Sequence, residues 1–235
     1  MMEDNNRIKI GITQGDINGV GYEVILKTFS DPAMLELCTP IIYGSPKVAA
    51  YHRKALDLTT NFSIISSASE APHNKLSVVN CTDDEIKVEF TKPTQEAGKA
   101  AYEALEKAVE EYKEGLIDAI VTAPINKNTI QSKDFYFPGH TEYLEEKLGE
   151  GSKSLMILMK DDFRVALVTG HIPVADIAKS ITKEKIMDKL EIFNTSLKFD
   201  FKIDNPRIAV LALNPHVASL TSLMVLRLTM IKQKP

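Results

Sequence analysis

The sequence has few cysteines and no long apolar run. Its 235 residues include two cysteines, Cys38 and Cys81, and no CxxC pair, which argues against a disulfide framework and against a zinc site made of cysteines. No stretch of about 18 apolar residues occurs, so the sequence predicts no membrane span. The start, MMEDNNRIKI, lacks the apolar core of a signal peptide. We therefore expect a protein of the reducing cytoplasm.

An excess of positive charge is also lacking. The chain has 28 Lys and Arg residues against 32 Asp and Glu residues, a net charge of -4, and a sequence pI of about 5.8. A general nucleic-acid-binding protein is normally basic, so that class of protein is disfavoured. The hydrophobic content of 44% is ordinary for a globular protein, and the length fits one large domain or two smaller ones.

Predicted strands alternate with predicted helices along the chain. Apolar runs predict strands over residues 7–13, 40–43, 62–65, 76–80, 86–90, 116–123 and 207–213, and a hairpin over 154–159 and 163–169. Apolar residues at helical spacing predict helices over about 22–29, 94–114, 142–148 and 183–199, with a further helix after Pro46. This order predicts an α/β protein with a mostly parallel sheet.

A glycine-rich segment, Gly15–Gly21 (GDINGVG), lies between the first predicted strand and the first predicted helix. Strand, loop and helix in this order are the layout of a phosphate or dinucleotide loop. The glycine spacing is neither G-x-G-x-x-G nor that of a P-loop. A phosphate-binding loop and a plain tight turn therefore both stay open.

The stretch Phe137–Leu144 (FPGHTEYL) predicts an anion site. Its Pro-Gly turn delivers His140 and Thr141 to the start of a helix, where we expect Thr141 to be the N-cap. Free backbone N–H groups and the positive end of the helix dipole suit a phosphate or carboxylate at this position. A capped loop with a solvent-facing histidine is the alternative, and the octamer alone leaves both open.

Polar residues also follow three apolar strands, at the end where α/β sheets bind ligands. Lys127, His171 and His216 each follow one of these strands, so their clusters converge on one candidate site. One metal ion could take both histidines, but two imidazoles alone do not define a metal site, and local hydrogen bonding is the alternative. Lys127, our candidate catalytic residue, either binds an anion or points into solvent.

Several motifs occur in one order, namely ITQGDINGVGYEV, VTAPINK, FPGHTEYL, TGHIPVADI and LALNPH. With these motifs in this order, the chain resembles the 4-hydroxythreonine-4-phosphate dehydrogenase (PdxA) family from about residue 7 to residue 216. The resemblance implies an isocitrate/isopropylmalate-dehydrogenase-like fold of two α/β/α domains with the active site in the cleft between them. It also implies a homodimer whose active sites draw residues from both subunits. On this basis residues 1–124 form a first domain, incomplete without the missing C-terminal part, and 125–216 form part of a second.

The resemblance implies NAD-dependent, metal-assisted oxidation of 4-phosphooxy-L-threonine to 2-amino-3-oxo-4-phosphooxybutanoate. This product decarboxylates to 3-amino-2-oxopropyl phosphate in pyridoxal 5'-phosphate biosynthesis. His140 and Thr141 match the pair that binds the phosphorylated substrate, and His171 and His216 match two of three metal-binding histidines. Zinc, cobalt, manganese and magnesium all stay open as the metal, and NADP stays open beside NAD. A related enzyme acting on another phosphorylated hydroxy acid is an alternative.

The resemblance stops after His216, where the segment 217–235 (VASLTSLMVLRLTMIKQKP) has no acidic residue and no glycine. The family's third metal histidine and most of its cofactor-binding region have no counterpart. A frameshift or gene-prediction artefact is our hypothesis, and a natural short form is the alternative. We expect the 235-residue chain itself to be inactive, and a ligand-binding fragment or an unstable fragment are the alternatives to an enzyme.

Overall fold

Five of the predicted apolar runs pair side by side as parallel strands in the structure, a computed structural model that describes residues 7–83, 85–211 and 213. The strands are β1 (Lys9–Thr13), β2 (Thr39–Gly44), β3 (Phe62–Ile65), β4 (Leu76–Asn80) and β5 (Ala119–Thr122). Their order across the sheet is β3-β4-β2-β1-β5, and every neighbouring pair is parallel. The predicted α/β class with a parallel sheet is therefore confirmed.

The chain divides into two units, Met1–Ser152 and Lys153–Pro235, and this sheet belongs to the first. The described helices of the first unit are α1 (Gly21–Thr28), α2 (Pro32–Leu37), α3 (Pro46–Ala55), α4 (Gln95–Lys113) and α5 (His140–Leu148), with a 3-10 turn at Ala68–Glu70. Asp31, Ser45 and Thr94 cap α2, α3 and α4 by accepting a backbone N–H of the first turn. The predicted domain boundary after residue 124 stays a prediction.

Helices cover both faces of this sheet, because successive strand residues point to opposite faces. On one face Ile42 of β2 packs in a cluster with Leu26 of α1. On the other face Tyr43 packs with Ala104 and Ala108 of α4. Both faces of a parallel sheet need such cover, since its strands are apolar on both sides.

The loop after β5 crosses α4 at Gly98. A Cβ atom at this position would collide with the carbonyl group of Thr129, so a residue without a side chain is required for the backbones to touch. The close approach seats the loop directly on the longest described helix of the unit. It therefore fixes where the residues after β5 lie.

The second unit contains the predicted hairpin and the predicted long helix. Strands β6 (Ile157–Lys160) and β7 (Phe163–Ala166) are antiparallel, and Asp161 in their turn has a φ of 51°. A 3-10 turn at Val174–Asp176, α6 (Ile177–Ser180) and α7 (Lys183–Phe199) follow. The hairpin and α7 are confirmed. No helix in the described part of either unit is long and apolar enough to cross a membrane.

Two predicted strands do not form among the residues that the structure describes. In the run 86–90 the backbone binds Asn18 instead of another strand, because Glu89 N–H donates to Asn18 Oδ1 over 2.7 Å and Thr91 N–H donates to Asn18 O over 3.0 Å. Residues 207–211 alternate between half-buried and exposed, as a strand does, but no described strand pairs with them. In both runs the apolar pattern was present, but no strand among the described residues pairs with it.

Candidate functional site

The loops after β1 and β5 meet at the carboxyl end of the sheet. The chain leaves β1 toward β2 on one side and returns through α4 to β5 on the other, which makes this the point where strand order reverses. Asp16 N–H donates to Pro124 O over 2.9 Å, and Gly15, at a φ of 67°, leaves no room for a Cβ beside that carbonyl. Ligands of open α/β sheets bind in the crevice at such a point.

The glycine-rich loop after β1 uses its polar side chains within the protein. Buried Gln14 accepts the Tyr22 hydroxyl over 2.8 Å and donates to Ala100 O over 3.0 Å. Asn18 donates to Lys92 O over 2.9 Å, and Asp16 accepts the Asn18 N–H. These contacts favour the tight-turn interpretation of this loop over the phosphate-binding one.

The loop after β5 turns back on itself at Asn126. Its side-chain oxygen accepts the N–H groups of Asn128 and Thr129 at 3.0 and 3.3 Å, and its carbonyl accepts Ile130 N–H at 3.1 Å. Asn126 is therefore a structural residue of the turn. Lys127 stays exposed beside it.

The start of α5 differs from the prediction in its cap. The N-cap is Gly139 and not Thr141, because the helix begins two residues earlier than predicted, at His140, and no side chain caps it. The first helical hydrogen bond of α5 runs from Tyr143 N–H to Gly139 O over 3.3 Å. The N–H groups of His140, Thr141 and Glu142 thus have no partner within the helix, as at any helix start.

His140 and Lys127 lie together at this helix start. A methyl group at Gly139 would lie 3.9 Å from Lys127 Nζ and 3.7 Å from a carboxylate oxygen of Glu142. The negative charge of Glu142 offsets part of the positive charge at this helix start. His140 Nε2 is buried and has no hydrogen-bond partner among the described residues. Burial lowers the pKa of His140, and the charge of Lys127 lowers this pKa further.

This arrangement can bind an anion. The free N–H groups and the helix dipole favour negative charge, the ammonium of Lys127 adds a cation, and the unpaired imidazole nitrogen of His140 supplies one more hydrogen bond. Of the two interpretations left open for this stretch, the solvent-facing histidine is disfavoured because the nitrogen is buried. Thr141, the other predicted substrate residue, is half-buried on the same first turn.

One of the two predicted metal ligands, His171, lies within the described part of the chain. His171 is exposed in the second unit, with a φ of 45°, and His216 lies outside the described residues. Among the residues that the structure describes, no group of three or more His, Cys, Asp and Glu side chains could hold a metal ion. A single exposed imidazole is too little to hold one, so the metal role of His171 and His216 stays a prediction.

An aromatic cluster supports the candidate anion site, and the sequence interpretation missed it. The ring of Tyr143, which is fully buried, stacks on Phe135 with centroids 5.4 Å apart and meets Phe137 edge-on at 5.6 Å. Both phenylalanines belong to the loop that ends at Gly139. The run FYFPGHTEY, with its closely spaced aromatic residues, was the signal that could have predicted this support.

Comparisons with known proteins agree on one group of relatives. The family model for "Pyridoxal phosphate biosynthetic protein PdxA" matches residues 36–222. A protein of Bacteroides thetaiotaomicron named 4-hydroxythreonine-4-phosphate dehydrogenase is 76% identical over 213 residues, which are 91% of this chain and 58% of that protein. A protein of the same name from Sulfurihydrogenibium sp. is 36% identical over 90% of this chain and 64% of its own length.

The solved structures agree with the sequences. A 4-hydroxythreonine-4-phosphate dehydrogenase from Burkholderia phymatum matches with a TM-score of 0.78 and 32% identity, over 90% of this chain and 64% of that one. The expected fold class is therefore confirmed. The chain spans about three fifths of the length of these relatives.

Proposed function

Because this chain belongs to the family of the pyridoxal phosphate biosynthetic protein PdxA, we propose that its first unit binds the phosphate group of 4-phosphooxy-L-threonine. The observation that carries the proposal is the start of α5, where a buried and unpaired His140 Nε2 lies with free N–H groups and near the ammonium of Lys127. Relatives that are 76% and 36% identical bear the name of a dehydrogenase for this substrate.

In the proposed complex each residue at the helix start has a separate task. Lys127 neutralises part of the phosphate charge, His140 donates a hydrogen bond to a phosphate oxygen, and the backbone N–H of Thr141 donates another. Together they hold the substrate at one end, so its hydroxyl-bearing carbon is placed for reaction. A catalytic role for Lys127 beyond binding stays a prediction.

We propose the family's reaction for the complete enzyme, an NAD-dependent oxidation of the substrate hydroxyl to a ketone. When bound, a divalent metal ion would polarise that hydroxyl, with His171 and His216 among its ligands, and NAD or NADP would accept the hydride. The resulting β-keto acid loses carbon dioxide. The homodimer with shared active sites and the cytoplasmic location belong to the same proposal.

Binding to the purified chain tests the proposal directly. The histidine side-chain NMR signals are followed while 4-phosphooxy-L-threonine is added, and the signal of His140 is assigned with the variant His140→Gln. We expect the His140 signal to move, and we expect 4-hydroxy-L-threonine, which lacks the phosphate, to bind roughly 100-fold more weakly because the charged contacts are lost.

Two lysine variants give the matched comparison. Lys127→Met should weaken binding of the phosphorylated ligand about tenfold, since a charge-assisted contact is removed. Lys133→Met changes another exposed lysine of the same loop and should bind like the unchanged protein. Equal binding by both variants and by His140→Gln would show that the phosphate lies elsewhere.

A further inference from the structure

We infer that Glu106 is a positioning residue for the anion site, because it ties α5 to α4 and so sets where His140 lies. The inference rests on the proposed function, in that it assumes an anion bound at the start of α5. Glu106 itself belongs to α4 and contacts no ligand in this proposal. It acts through Tyr143 and Lys147, both on α5.

The carboxylate of Glu106 receives two donors from α5. The buried Tyr143 hydroxyl donates to Glu106 Oε1, and Lys147 Nζ lies 3.0 Å from the same oxygen. One side chain of α4 thus holds α5 at two points, four residues apart.

The charge state of each group suits this contact. Burial raises the pKa of Glu106, but the hydrogen bonds from Tyr143 and Lys147 and the charge of Lys147 outweigh it, so the pKa lies below the ordinary value. Burial and the Glu106 carboxylate raise the pKa of Tyr143. At neutral pH an ionised acceptor therefore meets a protonated donor, which is a strong, charge-assisted hydrogen bond.

A hydrogen bond restricts the rotation of α5 more sharply than the apolar packing around it. The surrounding cluster includes Leu105, Ile130 and Phe135, but apolar attraction has no preferred direction, whereas a hydrogen bond requires a defined distance and angle. Tyr143 is three residues after His140, so both lie on neighbouring turns of one face. Any rotation or slide of α5 that breaks the Tyr143 contact moves His140 by a similar amount.

The same tyrosine supports the loop that leads into α5. Its ring contacts Phe135 and Phe137, and Phe137 O accepts Gln131 Nε2 over 2.9 Å. Pro138 and Gly139 follow directly, and then His140. Glu106 therefore holds both α5 and the loop before it in place through Tyr143, which belongs to α5 and contacts the loop.

The test compares two glutamates of α4. Glu106→Gln removes the charge of the positioning residue, and Glu110→Gln removes that of an exposed carboxylate one turn later, which pairs with Lys107 and not with α5. Sulfate, an anion that stays doubly charged across the accessible pH range, is the probe, and its dissociation constant is read from the NMR signal of His140. Thermal unfolding is measured for each variant.

We expect Glu106→Gln to weaken sulfate binding roughly tenfold, as losses of supporting contacts around a site commonly do, and to shift the His140 signal already without sulfate. Tyr143→Phe, which keeps the ring and removes the hydroxyl, should do the same and serves if Glu106→Gln folds poorly. Glu110→Gln should bind sulfate like the unchanged protein. Each measurement is made well below the unfolding temperature of the variant.

The outcomes separate the two proposals. If Glu106→Gln and Tyr143→Phe lower only the unfolding temperature and bind sulfate as the unchanged protein does, the positioning role is overturned and the anion site stands. If sulfate does not move the His140 signal of the unchanged protein, the anion site is overturned and the positioning role with it.

Discussion

The two units of the chain differ in how far they bury their apolar residues. Of the buried apolar side chains among the described residues, Ile186, Phe193 and Leu197 lie in the second unit and all others lie in the first. In the second unit Phe163 and Phe199 are 72% and 69% exposed. The first unit has a sheet covered on both faces, whereas the described part of the second has a hairpin and a long helix around an open apolar cavity of about 500 Å³.

This difference predicts in which unit a substitution will change the free energy of unfolding most. The free energy of folding comes mainly from apolar surface removed from water and from close packing. The first unit should therefore account for most of the stability, and it also holds the proposed anion site. The four predictions that follow contrast equivalent changes in the two units, or test a property that only one unit should show.

The largest contrast is expected between two glycines. Gly98→Ala should destabilise the first unit by about 4 kcal/mol or more, because the new Cβ meets the Thr129 carbonyl and backbone must move. Gly170→Ala in the second unit, where nothing lies within 4 Å of a Cβ, should change stability by less than about 0.5 kcal/mol. Urea unfolding measures both, and equal effects would contradict the contact at Gly98.

Two leucines give the next contrast. Leu105→Ala removes a fully buried side chain of α4 and should cost about 3 kcal/mol. Leu158→Ala changes a side chain of β6 that is 56% exposed, so a cost below about 1 kcal/mol is expected. Amide hydrogen exchange shows which unit opens in each variant. A large effect of Leu158→Ala would mean that this residue is covered by another part of the protein.

Acid should weaken the first unit. Burial lowers the pKa values of His52 and His140 from the ordinary value of 6.5, so the unfolded chain takes up protons that the folded chain does not. Stability is therefore full above pH 6.5 and is lost as the pH falls through 6.5 toward the folded-state pKa values. Urea unfolding between pH 7.5 and 5.5 measures how steeply the free energy of unfolding changes with pH.

Sulfate provides a control for this pH effect. A bound anion favours the charged imidazole, so it should raise the pKa of His140 and reduce the loss of stability in acid. His140→Gln should show a smaller slope than the unchanged protein and no effect of sulfate on that slope. A slope of the opposite sign would contradict the burial of these histidines.

The smallest effect on stability is expected at Phe163. Phe163→Ser replaces a side chain that is 72% exposed and should change the free energy of unfolding by less than about 0.5 kcal/mol. Exposed apolar residues promote association, so light scattering of concentrated protein should fall. A loss of several kcal/mol would show that this ring is buried against a partner.

Local signals predicted local structure well. The helix over 183–199 and the hairpin around Asp161 follow from apolar spacing and were predicted at or near their observed bounds. The strands predicted over 86–90 and 207–213 do not form in the described residues, because an apolar run does not reveal whether a ladder partner exists. In the first run Asn18, about 70 residues earlier in the chain, takes the hydrogen bonds instead.

The candidate site was predicted in part. His140 and Lys127 were named from the sequence, and the structure brings them together at one helix start. The predicted N-cap was wrong because Gly139, in an extended conformation, is the N-cap and α5 starts two residues earlier than predicted. Glu106 could not have been found from local patterns, since it meets Tyr143 across 37 residues.

The pairing of β1 with β5 also determines at what point during synthesis the crevice between their loops can form. Lys9 N–H donates to Asp118, 109 residues later, and the loops after these two strands form the crevice. At a synthesis rate of about 5–20 residues per second, β1 waits roughly 5–20 s for its partner strand to be made. Until then β1 is an edge strand with unpaired backbone groups, open to pairing with other chains. The crevice that holds the proposed ligand site therefore forms only after β5 has been made, and a ligand cannot protect the β1 edge before that.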